Sequence, residues 1–167
     1  MTETSTPTAL ALGANRGPCR ETLRAAADIL ATVVDGMSLG GLYRSPPEAG
    51  GSQPDYWNSA LIGLTRLGPE ELLAFAKALE RLAGRGPAPR NAPRPLDVDL
   101  LLWGREVRDE PALTLPHPRM AGRAFVLAPL ADVAPQWRIP GLDRTVEELL
   151  RRADTTGLRR VSWNERG

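Results

Sequence analysis

Asp97 and Asp99 stand two residues apart in the stretch Pro93-Arg94-Pro95-Leu96-Asp97-Val98-Asp99-Leu100-Leu101-Leu102-Trp103-Gly104. A short apolar run that ends in a turn glycine reads as a buried strand. Side chains two apart on a strand leave from the same face, so this spacing sets two carboxylates side by side at one end of it. Left alone, they would repel each other and lose hydration. A hard divalent cation with oxygen ligands relieves both costs, and Mg²⁺ that also carries substrate phosphates is the usual case. The alternative is that each aspartate caps a loop or pairs with Arg94 or another arginine. The other residues able to do chemistry are the single histidine, His117, held between Pro116 and Pro118, and the arginines at 85, 90, 94, 119 and 123. Two carboxylates, a histidine and several arginines are the composition of a Mg-dependent phosphoryl-transfer site. Catalysis there is mostly positioning and charge neutralisation.

The elements that must position these groups follow from periodicity and turn residues. Residues 8–13 read as a first strand. The loop after it, Gly13-Ala14-Asn15-Arg16-Gly17, matches neither a Walker A loop nor the dinucleotide fingerprint. Leu23, Ala26, Ala27, Leu30, Val33 and Val34 recur at helical spacing, so 19–34 reads as an amphipathic helix ended by Gly36. Residues 37–43 form a second strand, followed by Arg44-Ser45-Pro46-Pro47, a stiff extended piece. A loop over 48–55 leads to a third strand, 56–67. Gly68-Pro69-Glu70-Glu71 starts a second helix, with proline in the first turn and acids at the positive end of the dipole. Its apolar stripe is Leu72, Phe75, Ala76, Leu79 and Leu82, and Gly84 stops it. Residues 84–93 are too rich in proline and glycine for a helix or a central strand and read as a mobile lid. Beyond the aspartate strand come a short extended piece over 113–119 and one short helix within 121–134 limited by Pro129. A capping box at Thr145-Val146-Glu147-Glu148 opens a helix over 146–153, and a terminal strand covers 158–163.

The order βαββαβ is the ferredoxin-like split pattern, an α+β fold with the helices on one face of a mostly antiparallel sheet. The irregular segments 45–47, 84–94 and 114–123 would then converge over one face, above Asp97 and Asp99.

Composition bounds the rest. A chain of 167 residues fits one domain, here 8–167 after a disordered polar tail at 1–7 that lacks the Lys or Arg of a signal n-region. With 21 basic and 20 acidic residues there is no bulk electrostatic case for nucleic acid or membrane. One cysteine, Cys19, excludes an intrachain disulfide and a Cys-based zinc cluster, which points to a reducing compartment, the cytoplasm. No apolar run reaches the ~18 residues of a spanning helix. Taken alone, Tyr56 and Phe125 read as core aromatics, Arg85, Arg90 and Arg123 as solvated charges, Glu80 as a surface residue, and His117 equally as turn filler or ligand. Trp57, Trp103, Trp137, Trp163 and Cys19 read as packing residues.

Several segments change those readings when taken in order. They are Leu12-Gly13-Ala14-Asn15, Tyr43-Arg44-Ser45-Pro46-Pro47, Gln53-Pro54-Asp55-Tyr56-Trp57-Asn58 and Glu80 with Gly84-Arg85. They continue with Pro93-Arg94-Pro95-Leu96-Asp97-Val98-Asp99, Leu115-Pro116-His117-Pro118-Arg119 and Arg123-Ala124-Phe125-Val126-Leu127. Over residues 9–150 the chain resembles the 6-hydroxymethyl-7,8-dihydropterin pyrophosphokinase family of folate biosynthesis. The resemblance implies transfer of pyrophosphate from ATP. The pterin's hydroxymethyl oxygen attacks the β-phosphorus, giving AMP and the pterin diphosphate. It implies two Mg²⁺ ions bridging the aspartate pair and the triphosphate, and adjacent metals about 3.5–4 Å apart can stabilise both the attacking and the leaving oxygen.

The implied roles run as follows. Asp97 and Asp99 ligate metal. Tyr56 and Phe125 sandwich the pterin, Asn58 hydrogen-bonds its edge, and Ser45, Pro46 and Pro47 form a wall against it. Glu80, Arg85, Arg94, Val98, Thr114, His117 and Arg123 lie on the ATP side. The catalytic set is Asp97, Asp99, Arg85, Arg94, His117 and Arg123. The partners implied are small molecules only, with neither nucleic acid nor membrane, and the protein is expected to be a monomer.

The chain departs from the family in its lid, which is poorer in basic residues, is one residue shorter than some, and carries Asn91 where many members have tryptophan. It also has Lys77 where some carry glutamine, so Lys77 is not expected in the site. Two other classes share parts of this pattern. One is a nucleotidyltransferase with a split βαβ core, which would release free pyrophosphate and leave a nucleotidyl adduct. The other is a ferredoxin-like binding module for RNA or a small molecule; against RNA, this chain lacks the clustered aromatic and basic strand residues.

Overall fold

The computed structural model describes residues 4–89 and 92–164. In chain order the elements are β1 (Thr6–Ala14), α1 (Cys19–Leu30), β2 (Asp35–Leu39), β3 (Leu42–Ser45), β4 (Tyr56–Thr65), α2 (Pro69–Leu82) and β5 (Asp97–Trp103). There follow β6 (Arg108–Asp109), β7 (Thr114–Leu115), a 3₁₀ turn (Met120–Gly122), α3 (Ala124–Val133), β8 (Arg138–Ile139), β9 (Arg144–Thr145), α4 (Val146–Arg152) and β10 (Arg159–Val161). A 6-stranded sheet runs β10-β3-β4-β1-β5, with β2 also paired to β4. All its pairings are antiparallel. The strands β3-β4-β1-β5 therefore have the split βαβ order that the sequence predicts.

Several expectations change in detail. Strand β1 begins at Thr6, paired with Thr65, so the expected tail is already sheet by residue 6. Helix α1 stops at Leu30, because Thr32-Val33-Val34 is β-branched and a poor helix interior. The Thr32 and Val33 amides close only i−3 turns onto Ile29 and Leu30. Pro129 does not cut α3 short but sits inside it. The expected second strand is two strands, broken at Gly40-Gly41. The break is where α3 crosses the sheet: a Cβ on Gly40 would lie 2.2 Å from the Pro129 carbonyl oxygen. The Gly41 amide donates to Asp132 Oδ2 at 2.9 Å across the same contact.

The larger correction concerns the layers, since helices cover both faces of the sheet. In β1, Ala9, Leu10, Ala11 and Leu12 are all buried, and apolar residues of both parities require a cover on both sides. Leu10 and Leu12 join Val98 and Leu100 in the core under α1 and α2. Ala9 and Ala11 join Ala60, Leu101 and Leu102 under α3 and α4. Fully buried leucines such as Leu10, Leu23 and Leu61 each contribute about 1.5–3 kcal/mol of transfer free energy. The tryptophans do pack: Trp57, Trp103 and Trp163 lie against the first core and Trp137 against the second. The predicted cap is present, with the Glu148 amide donating to Thr145 Oγ1 at 3.2 Å. At the start of α2 the Gly68 amide donates to Glu71 Oε1 at 3.1 Å.

Candidate active site

Helix α3 leaves part of its sheet face open. Past its first turn, β1 offers Gly13, β4 offers Asn58, β3 offers Ser45 and β5 offers Asp97 and Asp99 to a cleft of about 720 Å³. The walls are the three irregular segments expected to converge: Ser45-Pro46-Pro47, Arg85 with Arg94, and the run from His117 to Arg123, with Phe125 beside it. Small residues make the room. Gly13 pairs with Asp97 and Ala11 with Asp99 across β1 and β5, so no large side chain lies over either carboxylate from the neighbouring strand.

The two aspartates differ in their surroundings. Arg94 Nη1 donates to both oxygens of Asp97, at 3.2 Å each, and Arg85 Nη1 donates to Oδ1 as well. For Asp97, then, the pairing with arginine that the sequence left open is realised. The Asp99 carboxylate makes no hydrogen bond or ion pair among the described residues. Its titratable neighbour is His117, whose pKa is lowered by burial, held up by Asp99 and pushed down again by Arg123, Arg119 and Lys77. Burial prevails, so His117 is neutral at pH 7. The Arg119 amide donates to His117 Nδ1 at 3.2 Å, which places the ring proton on Nε2. The His117 amide is tied to the Leu101 carbonyl at 2.9 Å, fixing the segment to β5.

On the opposite wall Asn58 is buried. Its Nδ2 donates to Ser45 Oγ at 3.0 Å and reaches the Tyr43 and Tyr56 carbonyls at 3.4 Å. Tyr56 and Phe125 both line the cleft. Burial, and then the Asp97 charge, raise the Tyr56 pKa, so the phenol stays protonated. The Arg123 guanidinium lies 5.4 Å from the Phe125 ring centroid, and its Nη2 pairs with Glu48 Oε1 at 2.8 Å across the cleft mouth.

Three of the expected residues stand outside the lining. Glu80 is 3% exposed, not a surface residue. It accepts the Val98 amide at 3.0 Å and Arg85 at 2.6 Å, and pairs with Lys77 at 3.3 Å, so it anchors Arg85 from behind. Val98 points into the α1/α2 core, as alternation with Asp97 and Asp99 demands, and its amide is committed to Glu80. The Thr114 hydroxyl donates to the Glu110 carbonyl at 3.3 Å. Lys77, not expected in the site, does line the cleft. Arg90 and Asn91 lie outside the described residues. Asn15 is a further polar residue next to the cleft to which sequence reasoning gave no role. Its type signals a turn, and nothing in the sequence names its partners.

The donor set can be tested against a metal. No group of three or more His, Cys, Asp or Glu residues is placed to hold an ion among the described residues. That excludes, for those residues, a closed structural zinc site. Two same-face carboxylates, one of them without a hydrogen-bond or ion-pair partner among the described residues, fit a cation that takes its remaining ligands from phosphate and water, as Mg²⁺ does.

The model of the 7,8-dihydro-6-hydroxymethylpterin-pyrophosphokinase (HPPK) family matches residues 9–135. A 2-amino-4-hydroxy-6-hydroxymethyldihydropteridine pyrophosphokinase of Synechocystis sp. is 38% identical over 149 residues, 88% of this chain and 76% of that one. The protein of the same name from Pseudomonas aeruginosa is 38% identical over 154 residues, 91% of this chain and 94% of its own. Among solved structures, Plasmodium falciparum HPPK-DHPS with pteroate superposes with a TM-score of 0.72 over 91% of this chain, at 13% identity. The chain spans 45% of that structure, so this likeness carries the fold alone. Neither the nucleotidyltransferase nor the RNA-binding reading draws support from these matches. No helix among the described residues is long and apolar enough to cross a membrane. The matched segment runs from β1 through the aspartate pair to just past the end of α3, the elements that build the cleft, and the chain belongs to the 7,8-dihydro-6-hydroxymethylpterin-pyrophosphokinase family.

Proposed function

We propose that this cleft transfers pyrophosphate from ATP to the hydroxymethyl group of 6-hydroxymethyl-7,8-dihydropterin, the folate-biosynthetic reaction of the family. The pterin oxygen forms a bond to the β-phosphorus. The bond from that phosphorus to the oxygen bridging to the α-phosphate breaks, and AMP leaves. The observation that carries the reading is that one cleft is lined both by charged residues and by uncharged aromatic and polar ones. Asp97, Asp99, Arg85, Arg94, His117 and Arg123 form the ionic set, and Tyr56, Asn58, Phe125 and Ser45-Pro46-Pro47 the uncharged set.

In the uncharged set Tyr56 and Phe125 stack on the pterin, and Asn58 bonds its edge. On the ionic side Arg85 and Arg94 hold phosphate oxygens, for which a planar fork suits two parallel bonds. Both arginines now neutralise Asp97, so they exchange one anion for another when the triphosphate enters. His117, neutral with its proton on Nε2, donates to a phosphate oxygen and adds no charge. Arg123 leaves Glu48 for the triphosphate. Glu80, Val98 and Thr114 act behind the lining, Glu80 by fixing Arg85. Asp97 and Asp99 would hold two Mg²⁺ ions, which when bound supply charge neutralisation for the attacking and leaving oxygens. Holding the two substrates in line accounts for most of the acceleration, since little covalent chemistry falls to the protein.

The segment 84–93 acts as a lid over ATP. Gly86, Pro87, Ala88 and Pro89 are exposed, and Arg85 and Arg94 at its two ends reach Asp97. Its cleavage by protease at 85–89 should slow when an ATP analogue, Mg²⁺ and pterin are all bound; equal cleavage would count against closure. We further propose a monomeric cytoplasmic protein of one domain. The single buried Cys19 and the pairing of β10 with β3 support that reading.

The test is formation of AMP from ATP that requires both Mg²⁺ and the hydroxymethyl pterin. Free pyrophosphate with a nucleotidyl adduct would assign the nucleotidyltransferase reaction instead, and AMP formed without pterin would overturn the proposal.

A further inference from the structure

We infer that Asn15 is a positioning residue that sets the phosphate-binding and acceptor-binding sides of the cleft in register. The inference rests on the reaction proposed above and adds a residue to it. Asn15 follows the last residue of β1 and is 2% exposed. Its side-chain Oδ1 accepts the Arg94 amide at 2.7 Å, and its own amide donates to the Arg94 carbonyl at 3.0 Å. The backbone of Arg94 is thus gripped from both sides. From the same side chain, Nδ2 donates to the Pro54 carbonyl at 3.3 Å and to Gln53 Oε1 at 3.2 Å.

These bonds join the loops that precede β4 and β5, beyond the β1 pairings, which end at Trp57 and Asp97. Arg94 carries the guanidinium that holds Asp97, and Pro54 stands two residues before Tyr56, where β4 begins. One planar amide therefore fixes the distance between the phosphate side and the pterin side. The position demands an acceptor and a donor on one short side chain. Aspartate offers only acceptors, and leucine neither. A buried network in which every member is paired holds its geometry, and one left half-paired does not.

The test separates the two arms of the bridge. Asn15→Asp retains the acceptor for the Arg94 amide and loses the donor to Pro54 and Gln53, whereas Asn15→Ala loses both arms. For Asn15→Asp, the KM for pterin should rise about five- to tenfold, the net effect of losing the donor to Pro54 and Gln53, with the KM for ATP within about threefold of wild type. For Asn15→Ala both KM values should rise and kcat should fall about tenfold or more, because the two sides are no longer in register. Hydrogen–deuterium exchange gives a readout independent of activity. Peptides covering 92–96 and 53–56 should exchange faster in Asn15→Ala, and only 53–56 in Asn15→Asp. Gln53→Ala, at a half-buried position, serves if Asn15→Ala does not fold. It should speed exchange at 53–56 and raise the KM for pterin while leaving 92–96 protected.

A role in folding alone would lower stability and speed exchange throughout, with no split between the substrates, and that result would overturn the inference. So would a folded Asn15→Ala with kcat and both KM values within twofold of wild type. A wild-type protein that makes no AMP would overturn the proposed reaction and the inference with it. Normal wild-type activity with unsplit variants would overturn the inference alone.

Discussion

Neutralising the two aspartates one at a time should move stability in opposite directions while abolishing activity in both cases. Residues two apart on a strand are separated by about 6.6 Å. Two unit charges at that distance repel by about 2.5 kcal/mol at an effective dielectric of about 20. Salt and the open cleft reduce this to about 1 kcal/mol. Asp99→Asn removes the repulsion and breaks no bond, since the Asp99 carboxylate has no hydrogen-bond or ion-pair partner among the described residues. The protein should therefore gain about 1 kcal/mol. Asp97→Asn relieves the same repulsion but weakens the contacts to Arg94 and Arg85. Those side chains are 22% exposed for Asp97, 29% for Arg94 and 28% for Arg85, so the pairs keep only part of their Coulomb energy, about 1 kcal/mol each. The net effect is a loss of about 1 kcal/mol, and the two variants should differ by about 2 kcal/mol. Urea unfolding of the metal-free protein measures this difference directly. In the AMP assay with Mg²⁺, each variant should lose about a thousandfold or more, equivalent to about 4 kcal/mol of transition-state stabilisation. Equal destabilisation by both substitutions would refute the assignment of Asp97 as the paired carboxylate and Asp99 as the open one. Activity above about a tenth of wild type in either variant would refute the metal role.

Three other outcomes follow from the geometry. Phe125→Ala should weaken pterin binding about tenfold in the presence of a non-hydrolysable ATP analogue, from loss of one stacking face, and unchanged affinity would make Phe125 a core residue only. Because burial lowers the His117 pKa from 6.5, the folded state binds its proton less readily than the unfolded chain. Its contribution to stability is complete above pH 6.5 and is lost as pH falls through the folded pKa. Urea midpoints between neutral and acid pH should therefore fall more steeply for wild type than for His117→Gln, and parallel slopes would refute the assignment. Gly40→Ala places a methyl against the Pro129 carbonyl of α3 and should destabilise the fold by about 1–3 kcal/mol; an unfolding midpoint equal to wild type would show that α3 can move aside.

Much of the molecule is written in local periodicity. Alternation alone puts Asp97 and Asp99 on one face of β5, and helical spacing marks α1 and α2. The Thr145 cap is legible because its partner lies three residues away. The order of short motifs suffices for the family, and through it for most of the cleft lining. Tertiary structure decided the rest, because the partners are distant in sequence and their meeting depends on register and packing. Arg85 reaches Asp97 only because α2 ends beside β5, and Glu80 is buried for the same reason. Both faces of the sheet are covered because α3 folds back over Ala9, Ala11 and Ala60, and it can do so only where Gly40 lets its backbone approach. The cleft is the part of that face that α3 leaves open. No local pattern names the partners of Asn15, whose bonds run to residues 38, 39 and 79 positions away. The sequence by itself supplied the charged groups and the strand that holds them, and the packing of α3 and the bridge through Asn15 placed them against the acceptor wall.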